Sequence, residues 1–183
     1  MFPLNKKEIY FIHSDTNNTN FKNIAEIPVG VTHPGSFGYV RKNHIHEGID
    51  IYCEYGDEVF SMEDGVIEKI IPFTGEIAGS PWWNNTYSIL IRHNQFFLNY
   101  GELIPCDDLY VGQKIKEGHS IGFIIPVLKK DKGRPMNMLH IEAYTLFSPL
   151  SKIPISDWAL TTSKPEYLFN PSFLLEKYTK IVS

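Results

Sequence analysis

The chain has 183 residues, 43% of them hydrophobic and 21% charged, which is material for one folded domain with its own core and barely for two. A formal charge of −4 gives no reason to expect nucleic acid or an anionic membrane as a partner, and no stretch approaches the ~18 apolar residues of a membrane helix. Met1–Tyr10 lacks the basic, apolar, small-residue order of a secretory signal, so the sequence by itself reads as cytoplasmic. Of the two cysteines, Cys53 and Cys106, the ordinary reading is a pair of reduced thiols, with a disulfide left open.

Residues 1–36 are polar and Asn-rich in their middle and read as an irregular arm packed on the body. Beyond them, short β-branched and aromatic runs bounded by Gly, Asn, Asp and Pro predict strands over Ile49–Tyr52, Glu58–Ser61, Gly65–Ile71, Thr86–Arg92, Gln95–Tyr100, Ser120–Ile125 and Leu139–Thr145. His93-Asn94 falls between two such runs as a hairpin tip, which argues for antiparallel pairing. The stretch from Tyr55 to Ile67 and the stretch from Val111 to Gly122 repeat one device of turn, strand, Gly-containing turn and strand. The body spans 37–150. The tail, 151–183, carries Pro154, Trp158, Pro165 and Asn170-Pro171, and is expected to extend the same domain as loop plus a short helix. The class is all-β, mainly antiparallel, in a small sandwich or partly open barrel.

Two segments carry candidate chemistry. In His46-Glu47-Gly48-Ile49-Asp50, strand alternation places residues 46, 48 and 50 on one face, with Gly48 leaving space between an imidazole and a carboxylate. Such a pair suits zinc, which takes N and O donors at ~2.0–2.2 Å. An exposed His and a turn-capping Asp are the plain alternative. In Met138-Leu139-His140-Ile141-Glu142-Ala143-Tyr144, Leu139, Ile141 and Ala143 face a core. Met138, His140, Glu142 and Tyr144 then form a site wall or a solvated face, and Glu142 is placed to orient a ligand His. Trp82 and Trp83, in the loop from Gly79 to Thr86, read either as the wall of a substrate groove or as caps on the core.

From about Phe37 to Leu174 the sequence resembles the lysostaphin-type (LytM-domain) zinc metallopeptidases, many of which cleave peptidoglycan cross-bridges or stem peptides. His46 and Asp50 match that family's first motif, and His140 matches the second His of its final His-x-His strand. The resemblance thus implies a Zn2+ held by His46, Asp50 and His140 on the floor of an open groove, a peptide or peptidoglycan substrate, and a place in the cell envelope or outside the cell. The sequence departs from the family at both of its remaining catalytic histidines. Met138 stands for the first His of His-x-His, and Glu102, in Tyr100-Gly101-Glu102-Leu103, stands for the His of a Tyr-x-His-Leu string.

A zinc with three protein ligands keeps an open position for water, and hydrolysis then needs a base and an oxyanion stabiliser. Methionine supplies neither. Glutamate can act as base, so Glu102 is the candidate, expected on the strand face of Tyr100, Leu98 and Phe96. The alternative is an exposed rim carboxylate in a dead site. Arg134, Tyr144, Tyr100 and His44 are further candidates for contact with substrate, while His93 and His119 read as solvent-exposed. A catalytically inactive zinc-containing module that binds peptidoglycan or a protein partner is the rival function. A lipoyl-type carrier is disfavoured, because no lysine sits at a suitable hairpin tip.

Overall fold

The computed structural model describes residues 1–179 apart from 17, 132, 134, 156 and 157. In chain order its strands are β1 (Glu8–Ile12), β2 (Ile24–Pro28), β3 (His44–Ile45), β4 (Ile49–Tyr52), β5 (Glu58–Phe60), β6 (Gly65–Thr74) and β7 (Thr86–Arg92). They continue with β8 (Phe96–Pro105), β9 (Lys114–Ile115), β10 (Ser120–Ile124), β11 (Met138–Thr145), β12 (Trp158–Ala159) and β13 (Leu168–Phe169), before a single-turn helix α1 (Ser172–Leu175). The runs of β-branched and aromatic residues expected to be strands are strands, and His93-Asn94 is the tip joining β7 to β8.

The main sheet runs β1-β2-β4-β11-β8-β7-β6-β9, with β10 joining β5 to β8 and β13 added to β11. It does not close into a barrel. Pairing is antiparallel except between β1 and β2, which run parallel with Glu8 opposite Ile24. The N-terminal arm is therefore regular in two places. Its Leu4, Ile9, Ala25 and Ile27 join the main core, which explains why a polar stretch stays attached to the body.

Period-two alternation divides the central strands into two faces. Ile49 and Ile51 of β4, Ile89 and Ile91 of β7, Leu98 and Tyr100 of β8, and Leu139 and Ile141 of β11 are at most 1% exposed and form one core. Burying a side chain of this size contributes ~1.5–3 kcal/mol relative to leaving it in water. On the opposite face, register aligns one row across five strands: Ile71, Ser88, Gly101, His140 and Asp50. The neighbouring row is Leu90, Asn99 and Glu142. Farther along this face Leu90, Phe97, Tyr144, Ile153 and Leu168 make a second apolar cluster.

β8 breaks the alternation once. Ser88 of β7 lies opposite Gly101 and Tyr87 opposite Leu103, so Glu102 is an extra residue in a bulge, with φ of 68°. At the same point β8 exchanges partners, pairing with β11 through Gly101 and with β10 from Leu103 onward. Cys53 and Cys106 are free thiols. No helix among the described residues is long and apolar enough to cross a membrane.

Candidate metal centre and cleft

Asp50 and His140 arrive from directly opposite positions on β4 and β11. His46 comes from the turn before β4, whose backbone is tied by Gly38 N–H donating to His46 O and His46 N–H donating to Tyr39 O. Strand alternation thus applies to Asp50, while the loop delivers His46. Gly48 permits the convergence. A methyl group there would lie 2.4 Å from the Ile141 carbonyl oxygen and 2.7 Å from the His140 ring.

The three inward-facing donor atoms form a small triangle. His46 Nε2 is 3.1 Å from Asp50 Oδ1 and 3.3 Å from His140 Nδ1, and His140 Nδ1 is 2.8 Å from Asp50 Oδ1. Ligands ~2.0–2.1 Å from a tetrahedral centre lie ~3.3 Å apart, so the triangle is within about half an ångström of a metal-site face. The outward ends are all engaged. His46 Nδ1–H donates to Ser36 O at 2.9 Å, an acceptor that fixes the tautomer and leaves Nε2 with its lone pair facing in. His140 Nε2–H donates to Glu142 Oε1 at 3.1 Å, and Arg41 Nη2 donates to Asp50 Oδ2 at 2.7 Å. With both imidazoles neutral, three lone pairs meet in a buried space, and a positive charge must lie among them.

In the metal-free chain that charge is a proton. Burial works against a charged His140, but its hydrogen bonds to Asp50 and Glu142 outweigh burial and raise its pKa well above the ordinary histidine value. Burial would likewise raise Asp50, yet His46 and Arg41 beside it hold its carboxyl well below the usual range. For His46 burial prevails and lowers the pKa. The donor set of two imidazoles and a carboxylate, each braced from behind, could hold a transition-metal ion.

Over His140 opens a cleft of about 770 Å³ whose lining includes Phe73, Trp82, Trp83, Glu47, Glu102 and His140. Trp82 is exposed and Trp83 half-buried, edge to face at 6.3 Å, so both Trp contribute to the wall. Glu142 sits beneath His140, where its Oε2 accepts from Asn99 Nδ2 at 3.0 Å and from the Tyr144 hydroxyl at 2.6 Å. Tyr144 is fully buried, and its hydroxyl also accepts from Ile155 N–H at 3.0 Å. His44 also lines the cleft. Arg134 lies outside the described residues.

Several expectations need correction. Glu102 does not share the face of Tyr100, because the bulge turns it toward the cleft; nor is it an exposed rim group, being only 8% exposed. Its Oε2 is buried without a hydrogen bond, and burial, followed by the nearby Asp50 charge, pushes its pKa up to about 8. Tyr100 cannot touch a ligand in the cleft. Alternation buries it in the core, where its hydroxyl accepts from Met62 N–H and meets His93 Nε2. His93 is buried rather than exposed, with Nδ1 3.0 Å from Asp64 O, and His119 is half-buried. Met138 begins β11 opposite Tyr52, half-buried. Arg41, Phe73 and Asn99 went unnoticed in the sequence, since their roles come from loop path and cross-strand register. Glu47 lay inside the quoted motif but was given no role; burial pushes its carboxyl up to about 7.

A mainly antiparallel sheet of this topology matches the lysostaphin-type fold, in agreement with the resemblance of the sequence. The catalytic domain of the antimicrobial peptidase lysostaphin from Staphylococcus simulans is 17% identical, with 78% of this chain and 89% of that one covered at a TM-score of 0.50. The longer lysostaphin chain is also 17% identical, with 78% and 48% covered at 0.51, so the present chain spans about half of it. The protein cbpa from L. salivarius REN is 20% identical, with 78% and 84% covered at 0.51. At these identities the likeness is one of fold. No protein-family model matches the sequence, and no curated protein matches it.

Proposed function

We propose that the protein is a zinc-dependent peptide-bond hydrolase acting on peptidoglycan, with Glu102 as general base. The observation that carries this reading is the triad itself, in which three braced lone pairs converge on a space the size of a zinc site, with His140 lining a cleft. The fold shared with lysostaphin supports a peptide substrate.

Zinc held by His46, Asp50 and His140 supplies a Lewis acid that polarises a carbonyl and acidifies water. The residues of this chain do the rest. Glu142, fixed by Asn99 and Tyr144, holds the His140 ring in orientation and keeps its Nδ1 directed inward. Arg41 holds the far oxygen of Asp50 and so aims the near one. Glu102 lines the cleft, and its Oε2 has no hydrogen-bond partner and can accept a proton. Phe73, Trp82 and Trp83 form an apolar wall that limits water and gives a peptide backbone a rigid surface.

One observation favours a second reading, a zinc-containing module that binds without cutting: Met138, on the ligand strand two residues before His140, has no proton to exchange. Glu102→Gln separates the two. Under the hydrolase reading the variant keeps its zinc and loses about a hundredfold or more of the rate at which amino groups are released from purified peptidoglycan. Unchanged turnover would remove Glu102 from the mechanism, and wild-type protein that retains wall fragments uncut would favour the binding module.

A further inference from the structure

Resting on the metal site of the reading above, we infer that Phe73 is a positioning residue for the metal: seated on Gly101, its ring holds the imidazole of His140 in the orientation that a bound ion requires. The ring of Phe73 lies 5.3 Å from that of His140, centroid to centroid, and is tilted by 41° to it. His140 Nε2–H donates to Glu142, but a hydrogen bond at one ring nitrogen leaves an imidazole free to rock about that atom. A second ring packed against it removes that freedom.

Two features of the sheet bring these rings together. Register pairs Pro72 with Tyr87 and Thr74 with Thr86, so Phe73 is an extra residue in β6. This bulge and the one that holds Glu102 lie on the two sides of Tyr87, in the strands that flank β7. A bulge re-aims the side chain it carries, and Phe73, half-buried, lines the cleft with His140. Gly101 is the second feature. It lies opposite His140 in register, and a methyl group there would stand 2.8 Å from Phe73 Cε1 and 3.1 Å from its Cδ1 and Cζ, the three nearest atoms it would meet. The φ of Gly101 is not left-handed, so its backbone would accept alanine, and the Phe73 ring is what excludes a side chain. Thus β8 gives up a side chain at the residue facing the candidate ligand, and an aromatic ring from two strands away takes the space. Ser88, opposite Gly101 on the intervening strand, is small as well.

The test is zinc affinity, measured by competition with a calibrated chelator, for wild type, Phe73→Ala, Gly101→Ala and the double variant. The visible spectrum of each cobalt(II) form is recorded beside it, because that spectrum reports ligand geometry, which a loss of stability alone would not move. The inference expects Phe73→Ala to weaken zinc about tenfold and to shift the cobalt bands. Gly101→Ala displaces the ring while leaving Phe73 in the chain, and by itself should weaken zinc to a similar extent. In the Phe73→Ala background it should add about twofold at most, since the atoms its methyl would meet first are gone. Wild-type affinity and an unshifted spectrum in Phe73→Ala overturn the inference. So does a Gly101→Ala loss of equal size in both backgrounds, which would put the effect in the strand and not in the ring. Wild type that takes up neither ion overturns the metal reading and this inference together. Protein that binds zinc in the expected pattern yet cuts no peptidoglycan overturns hydrolysis alone and leaves the role of Phe73 standing.

Discussion

His140 and Asp50 face each other across β11 and β4, Nδ1 to Oδ1 at 2.8 Å, and that pairing makes the candidate metal site and the sheet one object. A slip of either strand by one residue in this register would send its ligand into the core and bring Ile141 or Ile51 to the cleft. Their burial, at 1% and 0% exposed, therefore protects the position of the ligands.

The pairing predicts how metal affinity depends on pH. In the metal-free chain the pKa of His140 is raised well above its usual 6.5, so the metal must displace a proton in the neutral range. Affinity should climb about tenfold per pH unit between about pH 6 and pH 8, as the competing proton becomes easier to remove. Competition with a calibrated chelator measures this slope. A flat profile would mean that His140 is already neutral in the metal-free chain.

Gly48 is the position where the site tolerates no side chain. The 2.4 Å approach of an added methyl to the Ile141 carbonyl means that Gly48→Ala must push β4 and β11 apart. The expected cost is about 2–4 kcal/mol in denaturant unfolding of the metal-free chain, with metal affinity falling alongside. Unaltered stability and affinity together would show that the strands adjust freely.

Glu102 combines a left-handed backbone with a buried, unpaired carboxyl oxygen, both of which cost stability. Glu102→Gly relieves both, so the metal-free variant should unfold about 1 kcal/mol harder than wild type while hydrolysis is lost. Stability gained at the expense of activity is the expected mark of a residue kept for function. A variant that is less stable would instead assign Glu102 a structural role.

The strands were legible because apolar runs and Gly- or Asn-containing turns are local signals. His46, Asp50 and His140 were legible as ligand candidates because their motifs lie within short strings. Glu102 was located as a candidate, but its face was not: one extra residue in β8 reverses the alternation, and a bulge leaves no mark in hydrophobic periodicity. Tyr100 keeps the regular alternation and lies in the core, so it was wrongly grouped with Glu102 on one face. His93 looked exposed because it occupies a hairpin tip, whereas the tip folds inward and its ring bonds Asp64 O and the Tyr100 hydroxyl. Arg41 reaches Asp50 only through the path of the loop from Pro34 to His46, which residue spacing does not encode.

The most direct test of the central claim is elemental analysis of the purified chain, wild type beside His140→Ala, after equilibration with excess zinc and removal of loosely held metal. The account predicts close to one zinc per wild-type chain and almost none in the variant, since removing one of three ligands leaves His46 and Asp50 too few to hold the ion. Wild-type protein without zinc, or a variant that keeps its full complement, would contradict it.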